Sequence, residues 1–216
     1  MTTVLTPIER PASAPVRPAA GAPLSAQQLQ ALEQAGLRAR KVRNAGRMAM
    51  FNGCAFGAFA GLSLLFAALS PLFGEFDVVA TVMAGGLGIV AWNEFRGRRL
   101  LCRFDLGGPR LLGWNQLALM ALLMAYCAWS IHAGLTAPDP YAREIAAHPQ
   151  IAPTLGTIGR LKAILTVAIY GGLVAFSLVF QGLTALYYFT RGKLVRAYLS
   201  ETPAWIVEVQ RRSSVG

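Results

Sequence analysis

Residues 163–190 read AILTVAIYGGLVAFSLVFQGLTALYYFT, a stretch with no charged side chain. A helix needs about 20 apolar residues to cross the hydrocarbon of a bilayer, so this stretch predicts a transmembrane helix with length to spare. Working outward, Met48–Phe73, Val78–Asn93 and Leu111–Pro138 are also free of charge. The second is short unless Asp77 and Glu94 are counted as interface residues. Four spans are therefore predicted, over about 48–73, 76–95, 111–135 and 162–190. The composition agrees: 55% of the 216 residues are hydrophobic and only 14% are charged, against about 25% charged in a soluble domain.

Charge sets the orientation. The N-terminal region carries seven Lys and Arg residues, the connection after span two five, and the segment 191–216 five. The opposite connections hold only Arg143, Arg160 and Lys162. Lys and Arg concentrate in cytoplasmic loops, which predicts both termini in the cytoplasm. The fold expected is thus an all-α integral membrane protein, a four-transmembrane-helix bundle with N-in/C-in topology and short interfacial helices. Seventeen of the twenty basic residues are Arg, and with the abundant Ala and Gly this points by association to a bacterial inner membrane.

Outside the spans, residues 1–24 hold five prolines among Ala, Thr and Arg and predict a disordered tail ahead of the membrane domain, 25–216. Ser25 with Gln28 resembles a capping box and predicts a short helix ending in the basic run Arg38–Arg47. Asp139 followed by Pro140 predicts another short helix in the outer connection. Ser200–Pro203 predicts a break in the C-terminal tail.

Small residues recur every four positions in the spans, as in Gly53, Gly57, Gly61 and in Ala80, Ala84, Gly88. Without a hydrophobic drive between helices in lipid, small residues allow the close approach that holds them together. These faces predict packing within the bundle, against a membrane-protein partner, or in a homo-oligomer. The fourth span adds a polar stripe: Thr166, Tyr170, Ser177, Gln181, Thr184 and Tyr188 fall near one another at 100° per residue. Polar groups at membrane depth need hydrogen-bond partners, so the stripe predicts interhelical contacts or a polar path. His132 shares a face with Ala118, Ala121, Ala125 and Ala128 and is expected to point inward.

The segment 92–115, WNEFRGRRLLCRFDLGGPRLLGWN, gathers five arginines between two Trp-Asn pairs. Arg96, Arg98, Arg99 and Arg103 are expected to meet anionic lipid headgroups from a short interfacial helix. Trp92 and Trp114 are expected in the aromatic belt, and Asn93 and Asn115 are paired across the hairpin. Stacking aromatics on a free basic surface, the mark of a nucleic-acid site, are lacking.

Hydrolase, zinc-protease and nucleotide-binding motifs do not occur. Cys54, Cys102 and Cys127 form no CxxC pair, and His132, Asp139, Glu144 and His148 have no diagnostic metal spacing. No catalytic residue, metal or cofactor is predicted. The function expected is that of a non-enzymatic accessory or scaffold subunit of a membrane complex. The alternative is a small transporter or channel subunit lined by the polar stripe.

Overall fold

The computed structural model describes residues 23–74, 76–138, 146, 150 and 152–213. Residues 1–22 of the expected tail and the expected Asp139-capped helix lie outside them. All regular structure among the described residues is helical: α1 (Ala26–Leu69), α2 (Val78–Cys102), α3 (Gly107–Thr136), α4 (Ala152–Glu201) and α5 (Ala204–Ser213), with a short 3-10 turn over Ser70–Phe73. The first four are long and apolar enough to cross a membrane.

α1 begins with the capping box: the Gln28 backbone N–H donates to Ser25 Oγ at 3.3 Å, and the Ser25 backbone N–H donates to Gln28 Oε1 at 2.9 Å. It does not stop at the basic run. It continues as one helix of 44 residues, because nothing between Arg38 and Met48 breaks the backbone and one face is small throughout. Ala35, Ala39, Val42, Gly46, Ala49 and Gly53 are all buried at alternating spacings of three and four, one continuous stripe. α4 runs for 50 residues. At 1.5 Å per residue these helices are about 66 and 75 Å long, more than twice the roughly 30 Å hydrocarbon core.

The chain reverses between α1 and α2 at Gly74, whose φ of 89° favours glycine. Asp77 then caps α2, its Oδ1 accepting from the Ala80 N–H at 2.8 Å. α2 also outruns expectation, continuing through the arginines to Cys102, so these residues form no separate interfacial helix. Four residues then turn the chain into α3. The Asp105 N–H donates to the Leu100 carbonyl at 2.9 Å and the Phe104 N–H to the Leu101 carbonyl at 3.0 Å, the pattern of a Schellman cap. The left-handed position of that cap is usually glycine; here it is Phe104, at φ 54°. Its ring is buried and stacks on Tyr198 at 4.4 Å, which offsets the backbone cost. Gly107-Gly108-Pro109 opens α3.

α1 packs chiefly on α2, α3 on α4, and α2 on α3, while α1 and α4 touch less extensively. Glycines permit the closest crossings. A Cβ on Gly97 would lie 2.5 Å from Leu112, one on Gly108 would lie 2.9 Å from the Leu101 backbone nitrogen, and one on Gly113 would lie 2.6 Å from Phe189. The inner face of α3 carries Leu112, Asn115, Gln116, Leu119 and Cys127. Ala118, Ala121, Ala125, Ala128 and His132 are exposed, so His132 points away from the other helices. In a uniformly apolar helix, hydrophobicity does not mark the inward face.

The largest buried cluster lies at the arginine-rich end. Ala35, Ala39, Val42, Leu101, Phe104, Val195, Tyr198 and Ile206 meet there, joining the first half of α1, the α2–α3 turn, the end of α4, and α5. Polar ties reinforce it. Tyr198 Oη donates to Gln210 Oε1 at 3.0 Å, Arg43 donates to the same oxygen at 3.4 Å, and Arg211 Nε donates to the Arg103 carbonyl at 2.8 Å. Arg38 pairs with Glu201 at 3.3 Å. We call this assembly the head.

Candidate functional site

Beneath the head, four helices contribute to one polar knot. The buried face of α2 carries Ala84, Leu87, Ala91, Glu94, Gly97 and Leu101, so helical periodicity turns Glu94 inward, where its side chain is wholly buried. α3 follows a turn of only four residues, which sets Asn115 and Gln116 opposite it. Asn115 Nδ2 donates to Glu94 Oε1 at 2.9 Å and to the Val90 carbonyl at 3.0 Å. Gln116 Nε2 donates to the same carboxyl oxygen at 2.7 Å. From α4, Tyr188 Oη donates to Glu94 Oε2 at 3.5 Å, and from α1, Asn52 Nδ2 donates to Tyr188 Oη at 3.5 Å. Gly53 makes room for this: a Cβ there would sit 3.2 Å from Glu94 Cβ and 3.1 Å from the Phe95 ring.

Glu94 is therefore met by amides and a phenol, from helices on both sides. Each donor to Glu94 is itself buried, so the network is fixed by packing as well as by hydrogen bonds. Such an arrangement ties helices together at a depth where an unpaired polar group would be costly. Asn115 Oδ1 remains buried with no protein partner among the described residues.

The expected residues divide. Of the packing stripe, Gly53 touches α2, Gly57 approaches Ala91 at 3.9 Å for an added Cβ, and Ala84 is buried, whereas Gly61 and Gly88 have nothing within 4 Å of such a Cβ. Ala80 is half-buried. Of the polar stripe, Tyr188 joins the knot, while Thr166 and Thr184 donate back to carbonyls of their own helix, those of Lys162 and Phe180, at 2.9 and 2.7 Å. Tyr170 meets Tyr126 edge-on at 5.9 Å. Ser177 Oγ and Gln181 Oε1 are buried without a partner among the described residues.

Of the arginines, Arg96 and Arg99 line a groove of about 280 Å³ with Trp92 and Phe95. Arg98 lies toward Gly46 of α1, and Arg103 borders a larger groove, about 760 Å³, with Phe104, Leu199, Arg211 and others. Asn115 is bonded to Glu94 and Val90, not to Asn93 as expected.

Sequence reasoning missed Glu94, Asn52, Asn115 and Gln116 as a group. Glu94 reads as an interface residue because it ends an apolar run. The available signal was its spacing from Ala84, Leu87 and Ala91, which places it on the small, inward face. Compared with protein-family models, curated proteins and solved structures, the chain finds no match.

Proposed function

We propose that the protein is a non-enzymatic accessory or scaffold subunit of a membrane complex. In this reading the four long helices form a bundle in a bacterial cytoplasmic membrane, with both termini and the head on the cytoplasmic side. The head is the observation that carries the reading. α1 and α4 continue well past one membrane thickness and are locked with α5 around a buried core, with arginines outside. A preformed cationic platform of this kind suits docking of an acidic surface from a soluble or membrane partner. The knot around Glu94 supports the same role, because its donors come from the protein itself and hold the platform to the spans.

The partner contact within the membrane is assigned to Gly61 and Gly88, whose small faces are open, and not to Gly57, which already approaches Ala91. Mild detergent extraction followed by crosslinking should recover a partner or oligomer, and Gly61→Leu with Gly88→Leu should disperse it. A lone, monodisperse wild-type monomer that gives no crosslinked species would overturn the proposal. Orientation is tested separately: a reporter active only in the cytoplasm, fused after Gly216, should be active.

A second reading, a small transporter or channel subunit, draws on the unpartnered buried oxygens of Ser177 and Gln181. From Tyr188 to Tyr170 the stripe covers about 27 Å along α4 at 1.5 Å per residue, close to the hydrocarbon thickness of about 30 Å. Cysteines placed at 170, 177 and 181 would then react with aqueous thiol reagents, and protection at all three would remove this reading.

A further inference from the structure

One face of α2 changes character along its length. Val78, Val82, Ile89 and Trp92 are all exposed, and the same stripe continues with exposed Arg96 and Arg99. These positions are spaced by three, four or seven residues, so they share one side of the helix. The face passes from aliphatic to aromatic to cationic, in the order in which a bilayer passes from hydrocarbon through its interface to phosphate. Phe95 sets the groove beside this stripe. Its ring lies against Gly53 of α1, so the groove is built at a helix–helix junction and not on an isolated surface.

We infer that Trp92, Phe95, Arg96 and Arg99 form a binding site for one anionic phospholipid. The headgroup phosphate sits between the two guanidinium groups, and the glycerol and upper acyl chain lie along Trp92 and Phe95. Arg96 and Arg99 are about 6 and 10 Å beyond Trp92 along the helix axis at 1.5 Å per residue, which suits a phosphate just outside the aromatic belt. Guanidinium donors hold phosphate oxygens through fixed paired N–H groups. The roughly 280 Å³ of the groove accommodates a headgroup and not a folded partner. The inference rests on the proposed membrane placement, which the reporter fusion tests independently.

The test is native mass spectrometry of the full chain, released from nanodiscs holding equal amounts of phosphatidylglycerol and phosphatidylcholine. The wild type should retain phosphatidylglycerol over phosphatidylcholine by about tenfold, given two basic groups near one anionic headgroup. Arg96→Ala with Arg99→Ala should bring the ratio to about one, and Trp92→Ala should lower retention of both lipids. Arg40→Ala with Lys41→Ala removes the same charge from an exposed part of the head and should leave the ratio unchanged. Equal loss in that control would mean diffuse attraction and would overturn the site. So would stabilisation by inorganic phosphate alone that matches the effect of phosphatidylglycerol and depends on Arg96 and Arg99, since the site would then take free phosphate. Gly53→Ala offers a second route: moving Phe95 should weaken retention while both arginines remain.

Discussion

Replacing Glu94 by alanine should be among the most damaging single changes below the head. Gln116 Nε2 would lose its 2.7 Å acceptor in a site where Gln116 is 2% exposed. An orphaned buried donor costs about 1–3 kcal/mol. Asn115 would keep the Val90 carbonyl, so its loss is smaller, and the longer Tyr188 contact adds about 0.6 kcal/mol, typical of an interhelical bond in a membrane protein. With the void left by the missing side chain, the total is about 3 kcal/mol. Glu94→Gln keeps a carbonyl oxygen for both amide donors and should cost about 1 kcal/mol or less. The assay is SDS titration of the protein in mixed micelles, followed by tertiary circular dichroism. A cycle sharpens it: Gln116→Leu removes the orphan, so the double variant with Glu94→Ala should be less unstable than the two single losses summed. Alanine within about 0.5 kcal/mol of wild type, or glutamine as harmful as alanine, would refute the reasoning that shared hydrogen bonds make Glu94 a tie between helices.

Four further outcomes follow from the packing. Gly108→Ala should destabilise by about 1–3 kcal/mol in the same titration, because backbone obstructs the new methyl, whereas Gly61→Ala in open space should be neutral or slightly stabilising. Phe104→Gly should be less damaging than Phe104→Ala, the reverse of the usual helix order, since both lose the stack on Tyr198 but only glycine relieves the left-handed backbone. Arg38→Ala should change stability by about 1 kcal/mol at most, because its ion pair with Glu201 is half exposed. Ile206→Ala, at a wholly buried position of α5, should cost about 2–5 kcal/mol and expose α5 to limited proteolysis.

The four membrane-length helices were legible because a run of uncharged residues is a one-dimensional signal, and the capping box at Ser25 and the break at Thr202–Pro203 are local rules written in adjacent residues. Helix ends past the spans were not, because Arg40 or Arg99 continues a helix as readily as it leaves one. The inward face of α3 was misread for a related reason: alanines look like packing residues, yet Asn115 and Gln116 carried the contacts. The site itself depends on residues as far apart as Asn52 and Tyr188. Only the periodic placement of Glu94 among small residues hinted at it, and its position at the end of an apolar run argued for water instead.

The pairing of Arg38 with Glu201 spans 163 positions of the chain, and the cluster that Ala35, Ala39 and Val42 of α1 form with the α2–α3 turn is completed by Val195, Tyr198 and Ile206, which are made much later. During synthesis, α1 through α3 can enter a membrane and pack while the stripe on the first half of α1 still lacks the part of its cover that α4 and α5 supply. The head closes only when residues near Val195 to Gln210 have emerged. Head closure is thus a late step of folding, and a chain stalled after α3 would be partly packed, with that stripe only partly covered.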